Sequence, residues 1–173
     1  VEYTFQIYTS DTSGSEPAQL TNGATDCLVL DASEDGSKVV YGTAKEESDL
    51  WEVNLSDRKE SAFASSIDSE LWPDVSPDGK TVVYQSIKNL SQGNKIFSGR
   101  IMSRPASGGD NETQIIGQAG IPKYSPDGKM LAFFEQNGGS LRIKTVKTTG
   151  SETLQASNDA VSMISFTVLP YNR

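Results

Sequence analysis

Hydrophobic residues fall in short β-branched and aromatic runs, each preceded by a turn rich in Asp and Gly. The runs are Val39-Val40-Tyr41, Val82-Val83-Tyr84 and Leu131-Ala132-Phe133-Phe134. Runs of this length and type between turn signals predict β-strands. No stretch places apolar residues at i, i+3, i+4 and i+7 over three turns, so we expect little helix.

The turns before these runs share one tetrapeptide. Ser76-Pro77-Asp78-Gly79 and Ser125-Pro126-Asp127-Gly128 are intact copies, and Ser33-Glu34-Asp35-Gly36 is a degenerate one. Their glycines lie 43 and 49 residues apart, a spacing typical of β-propeller blades. An aspartate here can bond local amides and glycine tolerates positive φ. We therefore assign a structural role in the turn to Asp35, Gly36, Asp78, Gly79, Asp127 and Gly128.

Each repeat divides into four predicted strands. The predicted strands cover residues 28–31, 38–42, 50–55 and 61–64, then 71–75, 81–85, 95–104 and 113–116, then 121–124, 130–135, 141–146 and 152–155. A pair over 4–9 and 18–21 precedes them, and an apolar run over 161–168 follows. The approximate repeats are therefore 1–26 (partial), 27–69, 70–118, 119–158 and 159–173 (partial).

The predicted fold class is all-β, a single β-propeller array of four-stranded blades. It has three complete blades and a partial blade at each end. A closed ring normally needs four or more blades to cover its edges. We therefore expect either a fragment of a longer propeller or a ring completed by self-association with a second copy.

The repeat motif resembles a known family. Residues 73–84 and 122–134 carry proline, one residue, an apolar residue, Ser-Pro-Asp-Gly-Lys and then an apolar strand. This pattern resembles the TolB-type family of WD-like propeller repeats over about residues 19–155. The resemblance implies a periplasmic or extracytoplasmic binding module, a sensor domain, or the capping propeller of a prolyl-oligopeptidase-like peptidase. It brings no active-site residue with it.

Charge and composition narrow the function. The net charge is −8, and residues 1–50 hold ten acidic residues against two lysines. Phosphate binding needs clustered Lys and Arg, so we expect no nucleic-acid partner. No apolar run approaches the length of a membrane-spanning helix. The single cysteine, Cys27, excludes an intrachain disulfide.

The chain contains no histidine, which removes the usual general base at neutral pH and the commonest metal ligand. Carboxylates near Asp31 and Asp35 are too closely spaced for a twelve-residue calcium loop. We therefore predict no catalytic residue, no metal site and no cofactor, and a protein that is not an enzyme.

Innermost strands of a propeller line its central channel, and their loops surround one mouth. The candidate binding rim at these positions consists of Asp31, Trp72, Asp74, Lys123 and Tyr124. A structural role is the alternative for Trp72, which lies at the start of a predicted strand near a loop. The longer loop over 87–94, with Lys95, Arg100 and Arg104 nearby, is a second candidate surface or a solvated loop.

The expected function is non-catalytic binding of a protein or small ligand, as the sensor or interaction part of a larger extracytoplasmic protein. The alternatives are the capping propeller of a peptidase and a purely structural spacer.

Overall fold

The computed structural model describes residues 5–23, 26–44, 48–88, 99–137, 140–149 and 153–155. Within these ranges the chain contains strands and turns and no helix. The strands are β1 (Tyr8–Thr9), β2 (Ala18–Gln19), β3 (Asp26–Ala32), β4 (Lys38–Ala44), β5 (Leu50–Asn54), β6 (Glu60–Ala64), β7 (Ser69–Val75), β8 (Thr81–Ile87), β9 (Gly99–Pro105), β10 (Thr113–Tyr124), β11 (Met130–Asn137), β12 (Ser140–Lys147) and β13 (Thr153–Gln155).

Neighbouring strands pair antiparallel in chain order. The first unit is the sheet β3-β4-β5-β6. A seven-stranded sheet runs from β7 to β13 and contains two further units. The second unit is β7, β8, β9 and the part of β10 that pairs with β9, and the third is the rest of β10 with β11, β12 and β13. Strand β10 thus leaves the outer edge of one unit and becomes the inner strand of the next.

The inner strands of the three units lie side by side, because β7 contacts both β3 and β10. Apolar side chains fill the space between the units. Val40, Leu50 and Phe63 pack against Val82 and Tyr84 between the first and second units. A second cluster joins the second and third units through Val83, Ile101, Ala119, Leu131, Phe133 and Val146. Burial of these faces holds the units together.

The hairpin of β1 and β2 covers the other face of the first unit. Ile7 and Leu20 pack against Tyr41 and Val53, all of them buried. Backbone N–H groups of Leu20 and Cys27 donate to the carbonyl oxygens of Ile7 and Phe5.

The all-β propeller prediction is confirmed, with one correction to the strands. Residues 113–116 and 121–124 were expected as separate strands, whereas β10 is continuous from Thr113 to Tyr124. The pairing of β10 changes register where the strand passes from the second unit to the third. Its register with β9 shifts between Gly117 and Ala119. The predicted run over 161–168 and most of the loop over 87–94 lie outside the described residues.

Gln85 is a fully buried polar residue that ties the second unit to the third. Its Oε1 accepts a hydrogen bond from the N–H of Ile121 at 3.1 Å. Two glycines make room for it: an added Cβ at Gly120 would lie 2.8 Å from the Gln85 amide, and one at Gly99 would lie 2.7 Å from the carbonyl oxygen of Ser86.

Substitution Gly99→Ala is expected to lower the free energy of unfolding by about 2 kcal/mol, because the strand must move away from a backbone atom. Gly117→Ala is the matched control, since its nearest neighbour would lie at an ordinary 3.6 Å. Urea unfolding of both variants measures the difference. Equal stability of the two variants would contradict the packing around Gln85.

Candidate binding cleft between neighbouring units

The three repeated turns have the same internal hydrogen bonds. In the second unit the hydroxyl of Ser76 donates to Asp78 Oδ1 at 2.7 Å, and the N–H of Lys80 donates to the same oxygen at 3.1 Å. These bonds, the Ser76 hydroxyl first, lower the pKa of Asp78. The glycine that follows has φ of 69°, the left-handed conformation that glycine adopts without strain. Gly36 and Gly128 have φ of 66° and 69°.

Asp31 and Asp74, two of the predicted rim residues, link adjacent units. Asp31 Oδ2 accepts a hydrogen bond from the N–H of Val75 at 2.6 Å. Asp74 Oδ2 accepts from the N–H of Tyr124, also at 2.6 Å. The two bonds are equivalent: each joins the residue two before the turn serine to the backbone of the next inner strand.

Lys123 occupies the same position in the third unit and points back to the second. Its Nζ lies 2.5 Å from Asp74 Oδ1. Asp74 is 7% exposed, and burial raises its pKa while the Lys123 ammonium opposes that rise. The structure therefore uses three of the predicted rim residues in contacts between units.

Trp72 lies at a bulge in the inner strand of the second unit. Its φ is 55°, and Ile121 at the equivalent position of the third unit has φ of 51°. The pairing shifts register at both places. A left-handed conformation is unfavourable for such bulky residues. The repeated bulge thus belongs to the architecture of the inner strands, and Trp72 is half-buried there.

Tyr124, the fifth rim residue, lines a cleft between the second and third units. We call this cleft, between the second and third units, the second cleft. Its volume is about 590 Å³, within the usual range for ligand sites. Burial, together with the Asp74 and Asp78 carboxylates, raises the pKa of Tyr124 to about 12. Other side chains that shape the second cleft are those of Asp78, Thr81, Ser103, Asp127 and Thr148.

A smaller cleft lies at the equivalent place between the first and second units. This first cleft has a volume of about 260 Å³ and is lined by Lys38, Glu52, Val75 and Ala106 among others. Lys38 Nζ donates to Glu52 Oε2 at 3.2 Å and crosses to the carbonyl oxygen of Ala106 at 3.0 Å. The lysine thus bridges the two units and fills part of the space.

Thr81, Ser103 and Thr148 were not identified as site residues from the sequence. The sequence contains a signal for Thr81, because it lies two residues after Gly79, as Lys38 lies two residues after Gly36. Alignment of the repeats shows this change from a long cation to a short hydroxyl.

A buried acidic residue lies near the other end of β7. Glu70 is 3% exposed, and its Oε1 accepts a hydrogen bond from the hydroxyl of Ser66 at 2.6 Å. Its Oε2 has no hydrogen-bond partner in the described part of the chain. Burial raises the pKa of Glu70 to about 7. Nearby, Asp68 forms an ion pair with Arg100.

Two features bear on chemistry within the described ranges. No group of three or more Cys, Asp or Glu residues there is placed to hold a metal ion. Those residues also contain no helix long and apolar enough to cross a membrane.

The chain has a TolB-type β-propeller fold. TolB from Acinetobacter baumannii matches it with a TM-score of 0.70 and 20% identity, over 87% of this chain and 37% of that chain. An oligogalacturonate lyase in complex with manganese matches with a TM-score of 0.69 and 19% identity, over 88% of this chain and 46% of the lyase. A prolyl endopeptidase matches with a TM-score of 0.65 and 16% identity, over 90% of this chain and 26% of the peptidase.

No protein-family model and no curated protein sequence matches the chain. The chain spans less than half the length of each of these three structures. At these identities the likeness shows the fold alone.

Proposed function

We propose that this chain is a non-catalytic binding module of a larger extracytoplasmic protein, and that the second cleft is its binding site. The observation that carries the proposal is an open cleft of about 590 Å³ walled by side chains from two units. Ligand sites in proteins are concave, with an apolar lining and a few polar groups. Leu131 and Val146 supply the apolar lining, and Thr81, Ser103 and Tyr124 supply hydroxyls.

Two further points support the proposal. The chain has no histidine, so a hydrolytic reaction at this cleft would need a different general base. The fold likeness to TolB supports an extracytoplasmic location.

A screen of chemically diverse small molecules, followed by amide chemical shifts, tests the proposal. We expect the bound compounds to shift amide resonances around Ser103 and Thr148 and to be recovered unchanged. Ser103→Trp should abolish these shifts by filling the cleft. Ser65→Trp, at an exposed position outside the cleft, is the matched control and should leave them intact. Shifts scattered over other surfaces, or chemical conversion of a compound, would contradict the proposal.

A second candidate is the capping propeller of a prolyl-oligopeptidase-like peptidase. The fold likeness to a prolyl endopeptidase favours it. The sequence of the whole protein distinguishes the two, since this candidate requires an α/β-hydrolase domain with its nucleophile elbow.

A further inference from the structure

The first cleft shows how this fold accommodates a lysine between two units. Lys38 begins β4 of the first unit, and its ammonium lies between Glu52 of the same unit and the carbonyl oxygen of Ala106 in the second. The Lys38 and Glu52 side chains are 34% and 26% exposed. A primary ammonium thus has two oxygen acceptors in a partly desolvated position, where such bonds are strong.

The second cleft has the same frame. Thr81 begins β8 as Lys38 begins β4. Ser103 pairs with Val83 in the second unit, as Glu52 pairs with Val40 in the first. Each unit in this way supplies one residue at the start of its second strand and one on its third strand.

The acceptor of the adjacent unit is also equivalent. The N–H of Thr148 donates to the carbonyl oxygen of Lys129 at 3.0 Å, as the N–H of Ala106 donates to that of Lys80 at 2.8 Å. The carbonyl of Thr148 therefore corresponds to the carbonyl of Ala106 that receives the Lys38 ammonium.

The second cleft has no counterpart of the bridging lysine. Two hydroxyl side chains, Thr81 and Ser103, stand where the first cleft has Lys38 and Glu52. The volume is about 590 Å³ against about 260 Å³. The carboxylates of Asp78 and Asp127 also line the second cleft, and Lys147 is the one cation among the lining residues that the structure describes. Each carboxylate also forms a long ion pair with an exposed turn lysine, at 3.7 Å to Lys80 and 3.8 Å to Lys129. Exposed pairs of this kind contribute little, so both carboxylates remain acceptors for a cation in the cleft.

An alkyl chain would find suitable walls. Leu131 and Val146 are 2% and 3% exposed, and Ile115 and the Tyr124 ring complete this side of the cleft. Tyrosine rings attract cations that lie against their faces. The cleft thus combines an apolar path with oxygen acceptors.

We propose that the second cleft receives the lysine side chain of a partner polypeptide, in the role that Lys38 fills in the first cleft. This inference rests on the proposed function and specifies the ligand. The lysine methylenes would pack along the apolar wall, and the ammonium would be bound by the Thr148 carbonyl, the Ser103 hydroxyl and the nearby carboxylates.

Titration with Nα-acetyl-lysine methylamide, followed by amide chemical shifts, tests the proposal. The norleucine analogue has nearly the same alkyl chain without the ammonium. We expect saturable binding of the lysine compound around Ser103 and Thr148, with a Kd at least tenfold lower than for the norleucine compound. Equal affinities would overturn the proposed lysine specificity.

Two reciprocal variants sharpen the test. Thr81→Lys combined with Ser103→Glu installs the pair of the first cleft in the second, and should raise the Kd at least tenfold. Lys38→Thr combined with Glu52→Ser opens the first cleft, and should add shifts around Ala106. If the first double variant binds the lysine compound as the unmodified chain does, the proposal is wrong.

The source of the ammonium is tested separately. A Gly-Lys-Gly peptide blocked at both ends should bind at least as tightly as the free diamine cadaverine. Tighter binding of cadaverine by tenfold or more would overturn the assignment to a polypeptide. If neutral compounds bind in the second cleft and lysine compounds do not, the proposed function stands and this inference fails.

Discussion

Replacing Asp74 with alanine is expected to lower the free energy of unfolding by about 4 kcal/mol. The carboxylate is 7% exposed and accepts hydrogen bonds from the Tyr124 N–H at 2.6 Å and from Lys123 Nζ at 2.5 Å. Its removal leaves a partly buried ammonium and a backbone donor without their partner. Equilibrium unfolding in urea, monitored by tryptophan fluorescence, measures the loss.

Asp31→Ala is the matched control for this prediction. Asp31 accepts the equivalent backbone hydrogen bond from the Val75 N–H at 2.6 Å. Among the described residues no lysine or arginine forms an ion pair with Asp31. Its loss should therefore be smaller, about 1 to 2 kcal/mol. Equal losses of stability in Asp31→Ala and Asp74→Ala would show that the ion pair with Lys123 adds nothing to the contribution of Asp74.

Replacing Glu70 with glutamine should change how the stability of the protein depends on pH. From pH 4 to pH 8 the free energy of unfolding of the glutamine variant should rise by about 3 kcal/mol relative to that of the unmodified chain. Burial raises the pKa of Glu70 from 4.5 to about 7 in the folded state. Between these two values the folded chain holds a proton that the unfolded chain has released, so stability falls as pH rises. Glutamine has no such proton, and it keeps an amide oxygen that can accept the Ser66 hydroxyl.

Urea unfolding of both proteins at pH 4, 6 and 8 measures this effect. Ser66→Ala removes the hydroxyl that donates to Glu70 Oε1 at 2.6 Å. Because that bond favours the ionised form and lowers the pKa of Glu70, its removal should enlarge the total loss of stability between pH 4 and pH 8. If the difference in stability between the unmodified chain and Glu70→Gln did not change with pH, the pKa of Glu70 would not be raised in the folded state.

The repeated turns made the fold predictable from sequence. A Ser-Pro-Asp-Gly copy followed by an apolar run indicates a hairpin by local chemistry alone, since serine, aspartate and glycine interact within a few residues. Gly79, with φ of 69°, illustrates such a local requirement. Strand β10 was predicted less well, because residues 113–116 and 121–124 were assigned to separate repeats as two strands, whereas the structure has one strand with shifts of register.

Contacts between units could not be predicted from the single sequence. Asp31 and Asp74 were predicted at inner-strand positions, but their hydrogen bonds to Val75 and Tyr124 join residues 44 and 50 positions apart. Nothing local signals such a bond. Gln85 was missed for the same reason, because its environment is made by glycines on two other strands.

The second cleft could be predicted from the sequence only in part. The change from Lys38 to Thr81 is visible once the repeats are aligned. Its effect depends on a hydrogen bond from the Lys38 ammonium to the carbonyl oxygen of Ala106, 68 positions away in the sequence. Only the structure shows that the missing lysine leaves an open cleft.

Three sheets lie side by side in this fold, and a carboxylate on each of the first two inner strands accepts a hydrogen bond from the backbone of the next inner strand. Amide chemical shifts of Asp31→Asn and Asp74→Asn variants test this arrangement most directly. A backbone N–H that donates to a carboxylate resonates downfield and should move upfield when the acceptor becomes a neutral amide. We predict that Asp31→Asn moves the Val75 resonance and that Asp74→Asn moves the Tyr124 resonance. If both resonances stayed in place in the folded variants, the sheets would not be joined in this way.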